Sequence, residues 1–347
     1  MLSQSASYLT KMVNHKHLFK WLQKWFSKIA CISYAQSIIL GYGPYDYIKA
    51  AVGVLPSPVD KSTNLQTLVD FECFCNETLG EAKMASLLGE EIIIDDVTEV
   101  LMKELSIQPN YRNSLVDVIK QMNRKNLAVK QIFNVANIPV SEDDPVHCKL
   151  LYDIWEALDD RSIPESFQVT KSINKEDENI SSWGDLGFQT PLSDFRMTGL
   201  LGLKCLHYLA VEHEAMAREA LKLSLKLEAW FPFAITSINV TSWIMEDIKD
   251  NNVAIFFYDD ESSPIDTVLT LHVLYFFSFV EYWQDHALNT VFEFKTVSTN
   301  FRTYILEQID NNIEAVLDDP NWDNNGNHGS KLLKEVVKKL MSETGQS

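Results

Sequence analysis

Through almost the whole of this 347-residue chain, apolar residues recur three and four positions apart. That period puts them on one face of a helix and cannot line one face of a strand. From Leu65 to about Leu105 it runs through "LQTLVDFECF" and "LGEEIIIDDVTEVLMKEL". "SLVDVIKQMNRKNLAVKQIFNVA" continues it as one helix or two, after the connector "SIQPNYRN". Ser141 or Asp144 caps the next helix, Pro145 fills its first turn, and the apolar pattern carries it to about Leu158. A single helix is expected from the end of the Trp183–Ala210 stretch to about Leu225, and a buried one over "WFPFAITSINVTSWIMEDI". Ser263 as N-cap and Pro264 at the first position start another, which runs to about His286. A long helix through "TVFEFKTVSTNFRTYILEQIDNNIEAVL" follows. Only Val253–Tyr258 reads as a strand, so the expected fold class is an all-α, multi-helix bundle.

Charge is distributed unevenly along this pattern. The net charge is −18, yet the first fifty residues hold six Lys against one Asp, a balance of +5 that leaves −23 on the rest. The organisation expected is a basic amphipathic N-terminal segment over 1–50 and a helical domain over 60–318. A polar spacer with a short basic C-terminal helix fills 319–347. In "KHLFKWLQKWFSKI" (16–29), Leu18, Trp21, Leu22, Trp25, Phe26 and Ile29 share one face and four lysines another. Such a helix either lies on an anionic membrane or packs its tryptophan face on the body. "KLLKEVVKKLM" repeats the design at the other end, with Leu332, Leu333, Val336, Val337 and Leu340 apolar. A body this acidic excludes nucleic acid as a partner, since phosphate contacts need clustered Lys and Arg.

Several chemistries lack their residues. There is no phosphate loop, no His-Glu-x-x-His pair and no Gly-x-Ser-x-Gly elbow. His207 and His213 lie six apart and face different ways on a helix; His272 and His286 sit among aromatics and read as core or boundary residues. Asp95-Asp96 and Asp159-Asp160 are adjacent pairs that diverge on a helix and read as solvated faces or caps. The five cysteines form no framework and no zinc pattern, and are read as reduced thiols of a cytoplasmic protein. No cofactor and no metal are expected. The apolar stretch Ile29–Gly43, the longest candidate for a membrane span, is short and broken by Ser, Gln and Gly.

What remains is "WGDLGFQTPLSDFRMTGLLGLKCLHYLA", Trp183–Ala210, with one arginine among aromatic, glycine and leucine residues. Arg196 stands between Phe195 and Met197, just ahead of a leucine-rich helix. A guanidinium keeps its charge at every working pH and offers five planar donors, which suits phosphate recognition. Asp194 either orients that guanidinium or caps the helix that follows. Gly199 and Gly202 let another backbone or surface come close, and Trp183, Phe188 and Phe195 pin the loop to the core. The alternative is an Arg paired with Asp194 or a buried carbonyl, simply holding a loop on a helix.

The elements Trp183-Gly-Asp-Leu-Gly187-Phe188-Gln189 and Ser193-Asp194-Phe195-Arg196, with Gly199 and Leu200, Leu201 and Leu203, resemble the signature of the ELMO (engulfment and cell motility) domain family. "LLYDIWEAL", "FAITSINVT" and "FFSFVEYW" echo that family in order, so that 145–312 carries the resemblance throughout and 16–144 more loosely. The resemblance is nearest to the small ELMO-domain-containing proteins. It implies an ELMO-type helical bundle that acts as a GTPase-activating protein for Arf and Arf-like small GTPases, without the zinc finger of better-known Arf activators. In such a protein the arginine of the Asp-Phe-Arg element, here Arg196, is the catalytic one. Trp183, Gly187, Phe188, Gln189, Asp194, Phe195 and Gly199 would support it or bind the partner. Larger members of the family use the domain in scaffolds that help to activate Rac.

Three departures from the family pattern bear on activity. Thr190 alone separates Gln189 from Pro191 where the family has three residues, Ser193 replaces Thr, and Met197 replaces Gly. A glycine after the arginine serves either a positive φ, which would strain Met197, or a close approach of the GTPase, which Met197 would block. Two functions are therefore expected from the chain. One is GTPase activation with an arginine donated in trans; the other is a non-catalytic module that binds a GTPase or a scaffold. Either would act in the cytoplasm, peripheral to an internal membrane if the basic termini meet anionic lipid.

Overall fold

The computed structural model describes Ile39 and residues 65–88, 92–167, 182–258, 262–286, 294–319, 321–322 and 329–343. The N-terminal amphipathic helix expected over 16–29 lies outside the described residues, as does most of the polar loop over 159–182. The described residues form eleven α-helices and short 3-10 turns, with no strand among them. The chain divides into two compact units, one through Asn126 and the other from Leu127 onward. The division falls inside a helix, and the C-terminal helix belongs to the second unit.

The first unit holds α1 (Leu65–Leu79), α2 (Glu81–Leu87), α3 (Ile94–Glu104) and the first part of α4 (Arg112–Ala136). The uninterrupted period of "SLVDVIKQMNRKNLAVKQIFNVA" makes α4 one helix and not two. Arg112 at its start reaches back to Asp95 at 2.6 Å and Glu99 at 3.2 Å on α3. Leu115, Val118, Ile119 and Met122 are fully buried at three- and four-residue spacing. Among them Lys125 is paired with Glu72 of α1 at 2.8 Å, both side chains nearly out of solvent. Losing either partner would strand a buried charge, so breaking the pair costs more than the intact pair contributes.

The second unit is built around a leucine-rich helix. Asp144 caps α5 (Pro145–Leu158) by accepting from the Val146 N–H at 2.8 Å, with Pro145 at the first position. The following helical run is two helices and not one: α6 (Gly199–Glu212) and α7 (Glu214–Ser224) break at His213. The His213 ring is held edge-on to Tyr208 and Phe277, and the bend lets Ala217, Ala220 and Leu221 of α7 turn inward. α6 is apolar on most of its circumference and is buried accordingly, packed by α5, α8 (Phe233–Lys249) and α9 (Pro264–His286). α9 is long and apolar enough to span a bilayer by composition, a stronger candidate than Ile29–Gly43. It is instead the core helix of this unit, its Phe276, Phe279 and Trp283 buried against Phe231, Phe233 and Phe301.

Two expectations are corrected here. Val253–Tyr258 is not a strand: Ala254–Phe257 form a 3-10 turn with every side chain buried. A short apolar run buried on all sides carries no periodicity to tell the two apart. The apolar face of α11 (Gly329–Glu343) does not point to lipid. Leu332, Leu333, Val336 and Leu340 are buried against α9 and α10 (Phe294–Leu317), and Gly329 lies against the Phe256 carbonyl. The same pattern serves core and membrane, and the core takes it. His272 is fully buried as expected, whereas His286 is exposed and stacked on Tyr282 at 3.9 Å.

Candidate functional site

The segment Ser182–Thr198 makes two 3-10 turns that share an aromatic floor. Ser182 and Asp185 close a capping box on the first, Trp183–Leu186: the Ser182 hydroxyl accepts from the Gly184 N–H, and the Asp185 carboxylate accepts from the Ser182 N–H at 3.1 Å. Gly187 ends that turn at φ +82, and a Cβ there would sit 2.5 Å from the Phe233 nitrogen, so only glycine fits. Trp183 is fully buried and donates its indole N–H to the Ser166 carbonyl at 3.1 Å. Its ring stands edge-on to Trp155 at 5.3 Å and to Phe188 at 5.7 Å; Phe188 lies 6.1 Å from Phe195. All four rings are out of solvent, so the row extends from α5 to the residue immediately before Arg196.

The second turn, Ser193–Met197, is fixed by Asp194. Its Oδ2 accepts from the backbone N–H groups of Gln189 at 2.8 Å and Thr190 at 2.9 Å. Partial burial pushes the Asp194 carboxyl above the usual carboxylate range, against the pull of these two bonds and of the Arg196 charge. Asp194 makes neither hydrogen bond nor ion pair to the guanidinium, on which only its charge acts, and α6 has no side-chain cap. Thr190 by itself between Gln189 and Pro191 brings both N–H groups within reach of the one carboxylate oxygen, and they take it. Met197 lies in this turn without a positive φ, so it carries no backbone strain, and its side chain is 70% exposed.

Arg196 points out of this frame and is exposed. Among the described residues its guanidinium has no hydrogen bond and no ion pair. The other arginines are engaged. Arg112, Arg161, Arg218 and Arg302 each bind two carboxylates, and Arg124 has interactions of its own. Gly199, at φ +52, faces inward: a Cβ on it would stand 2.1 Å from the Ala136 carbonyl oxygen. The close approach it permits is to the chain's own backbone, where the Leu200 N–H donates to the Ile138 carbonyl at 2.8 Å. Of the residues singled out in the sequence, Trp183, Phe188, Phe195 and Gly199 are thus internal. Gln189, Arg196 and Met197 present their side chains to solvent.

The model of the ELMO/CED-12 family matches residues 130–298. ELMO domain-containing protein B of Dictyostelium discoideum is 33% identical over 215 residues, which cover 61% of this chain and 69% of that protein. The chain belongs to the ELMO domain family. ELMO domain-containing protein 1 of Mus musculus is 26% identical over 243 residues, covering 64% of this chain and 71% of its own. Ankyrin repeat and ELMO domain-containing protein D of Dictyostelium discoideum is 37% identical over 119 residues, only 8% of its length. No solved structure matches the chain.

Within this ELMO domain, one residue of the frame is invisible to sequence reasoning. Arg161 binds Asp159 at 2.6 Å and Asp185 at 2.8 Å, tying the end of α5 to the first 3-10 turn. The Asp159 carboxyl falls below its usual range because Arg161 hydrogen-bonds it. Asp160 binds Arg218 at 3.1 Å, so the adjacent acids are ion-pair partners and not merely solvated. Arg161 and Asp185 lie 24 residues apart, and no local pattern joins them.

Proposed function

We propose that this chain is a GTPase-activating protein for Arf or Arf-like small GTPases and that Arg196 is its catalytic residue, donated in trans. One observation supports the reading above the rest: a guanidinium that is exposed and unengaged, on a turn held by Asp194 and a buried aromatic row. Catalysis of phosphoryl transfer is positioning plus neutralisation of charge on the equatorial oxygens. A planar fork carried on a fixed turn, with no internal acceptor to give up, serves both, and only its exposed side chain has still to be ordered. The partner GTPase would bring its own Mg²⁺ and phosphate loop, and this chain no cofactor. It would work in the cytoplasm, with the lysines of its first fifty residues drawing it toward anionic lipid.

Single-turnover GTP hydrolysis by Arf-family GTPases tests the assignment. Arg196→Lys keeps the charge and loses the fork, and should cost about 10³-fold of the stimulated rate in a chain that still folds. Undiminished stimulation by that variant rules the role out.

The exposed Met197 favours a second reading, in which the same face binds a GTPase or a scaffold without speeding hydrolysis. A chain that retains GTP-loaded GTPase on a column and leaves its hydrolysis rate unchanged would establish it.

A further inference from the structure

The surface around Arg196 joins two segments that are distant in sequence. The Ile138 carbonyl accepts from the Leu200 N–H at 2.8 Å, and Gly199 packs on it so tightly that a methyl group would not fit. Residue 138 is therefore fixed beside the start of α6, within a turn of Met197. Both side chains face solvent, Met197 at 70% and Ile138 at 42% exposure. Exposed apolar residues scattered singly carry no information, but these two flank one pinned backbone junction, and Met197 directly follows an unengaged arginine.

Charge marks the same junction. The chain averages about one acid in seven residues, 48 in 347. From Leu127 to Ser141 there is none, and from Leu186 to Val211 there is only Asp194, whose Oδ2 is occupied by two backbone N–H groups. The exposed residues of the arginine loop besides Arg196 and Met197 are neutral and polar: Gln189, Thr190 and Ser193. Nothing here is positive enough to hold nucleic acid, yet on an otherwise acidic chain these two stretches carry Arg196, Lys130 and Lys204, all exposed, against the one occupied acid. Such a surface suits a partner that presents concentrated negative charge at one point and apolar contact beside it.

We infer that Ile138 and Met197 form the apolar core of the docking surface for a GTP-loaded small GTPase, with the triphosphate directed to Arg196 between them and the Gln189–Ser193 edge. The inference rests on the function proposed above and specifies how the partner is held. Met197, which replaces the smaller residue of the family pattern, is on this account a contact that selects the partner. Affinity would come from the apolar pair and rate from the guanidinium, so the two are separable.

Titration of the full chain against mant-GTP-loaded Arf and Arf-like GTPases, in single-turnover hydrolysis and in fluorescence anisotropy with a non-hydrolysable analogue, separates them. Ile138→Glu and Met197→Glu lie on the surface and should leave the thermal unfolding midpoint in place. Each should raise the concentration for half-maximal stimulation by about tenfold with the limiting rate nearly unchanged, and Met197→Leu should restore binding. Arg196→Lys should do the opposite, losing rate and keeping anisotropy. If both glutamate variants bind as tightly as the parent while Arg196→Lys abolishes stimulation, the docking surface is wrong and the catalytic reading stands. If Arg196→Lys stimulates normally, the catalytic reading falls. A panel in which no GTPase binds the parent chain removes both.

Discussion

A methyl group at residue 199 would lie 2.1 Å from the Ala136 carbonyl oxygen and 2.5 Å from that of Ile138. Backbone oxygens of a helix end cannot move aside as a flexible side chain can, and φ is +52 as well. Gly199→Ala should therefore destabilise the protein by at least about 3 kcal/mol in urea unfolding. Gly80→Ala, at φ +89 with nothing within 4 Å of the added carbon, pays only the conformational cost, about 1–2 kcal/mol. Equal losses for the two would mean that the contact at Gly199 relaxes freely. The sequence marks both residues only as glycines in or near loops. It suggests that Gly199 permits a close approach, and the structure identifies the approaching backbone as the protein's own. Arg196 is the converse case. Its type and neighbours are legible in sequence, whereas its freedom from partners is a property of the packed turn.

At the scale of elements, the segment that carries Arg196 is held at both ends by carboxylates. At the α5 end Arg161 lowers the Asp159 carboxyl below its usual range. A carboxylate with a depressed folded-state value contributes stability above the ordinary range and loses it as pH falls through its own value. Arg161 is 38% exposed, so water screens the pair and its contribution to global stability is small. The local consequence is measurable. Trp155 donates its indole N–H to the Arg161 carbonyl at 3.0 Å. Below about pH 4 that N–H should lose protection against hydrogen exchange before the protein unfolds, and Asp159→Asn should show the loss at neutral pH. Protection that persists in both cases would show that the clamp does not hold the loop. Helix starts with strong chemistry, such as Asp144-Pro145 and Ser263-Pro264, are legible because the signal is local. The break at His213 is not, because a ring of α9 stabilises it.

Across the second unit, polar groups are buried where three helices meet. Asp247 of α8 is completely enclosed and accepts from Tyr275 of α9 at 3.1 Å and from Arg302 of α10 at 3.2 Å. His272 is equally enclosed, with Ser237 against its Nε2 at 3.0 Å, and burial lowers its value to about 4. An unfolded histidine takes up a proton near pH 6.5 and this one does not, so the unfolded state binds more protons between those limits. Stability should fall as pH drops through that window, by up to about 3 kcal/mol. His272→Met should flatten the slope of unfolding free energy between about pH 6.5 and pH 4. A slope unchanged in the variant would assign the loss to other groups. The same burial governs α11, whose lysine-and-leucine pattern fits lipid as well as protein. Its leucines find the interior of the bundle.

By itself the sequence determined the helical class, the helix starts at Pro145 and Pro264 and the place of the arginine ahead of its helix, because period and capping residues act over a few positions. It also carried the family resemblance, since the motif around Arg196 is contiguous. Tertiary structure alone decided what each ambiguous surface faces: the apolar side of α11 turns inward, Gly199 meets backbone, and Asp194 binds amides and leaves the guanidinium free. The first two outcomes depend on partners tens of residues away, and the free energy that selects them exists only once the chain has brought them together; the third is settled within five residues, but only in the folded turn that aims both amides at one oxygen.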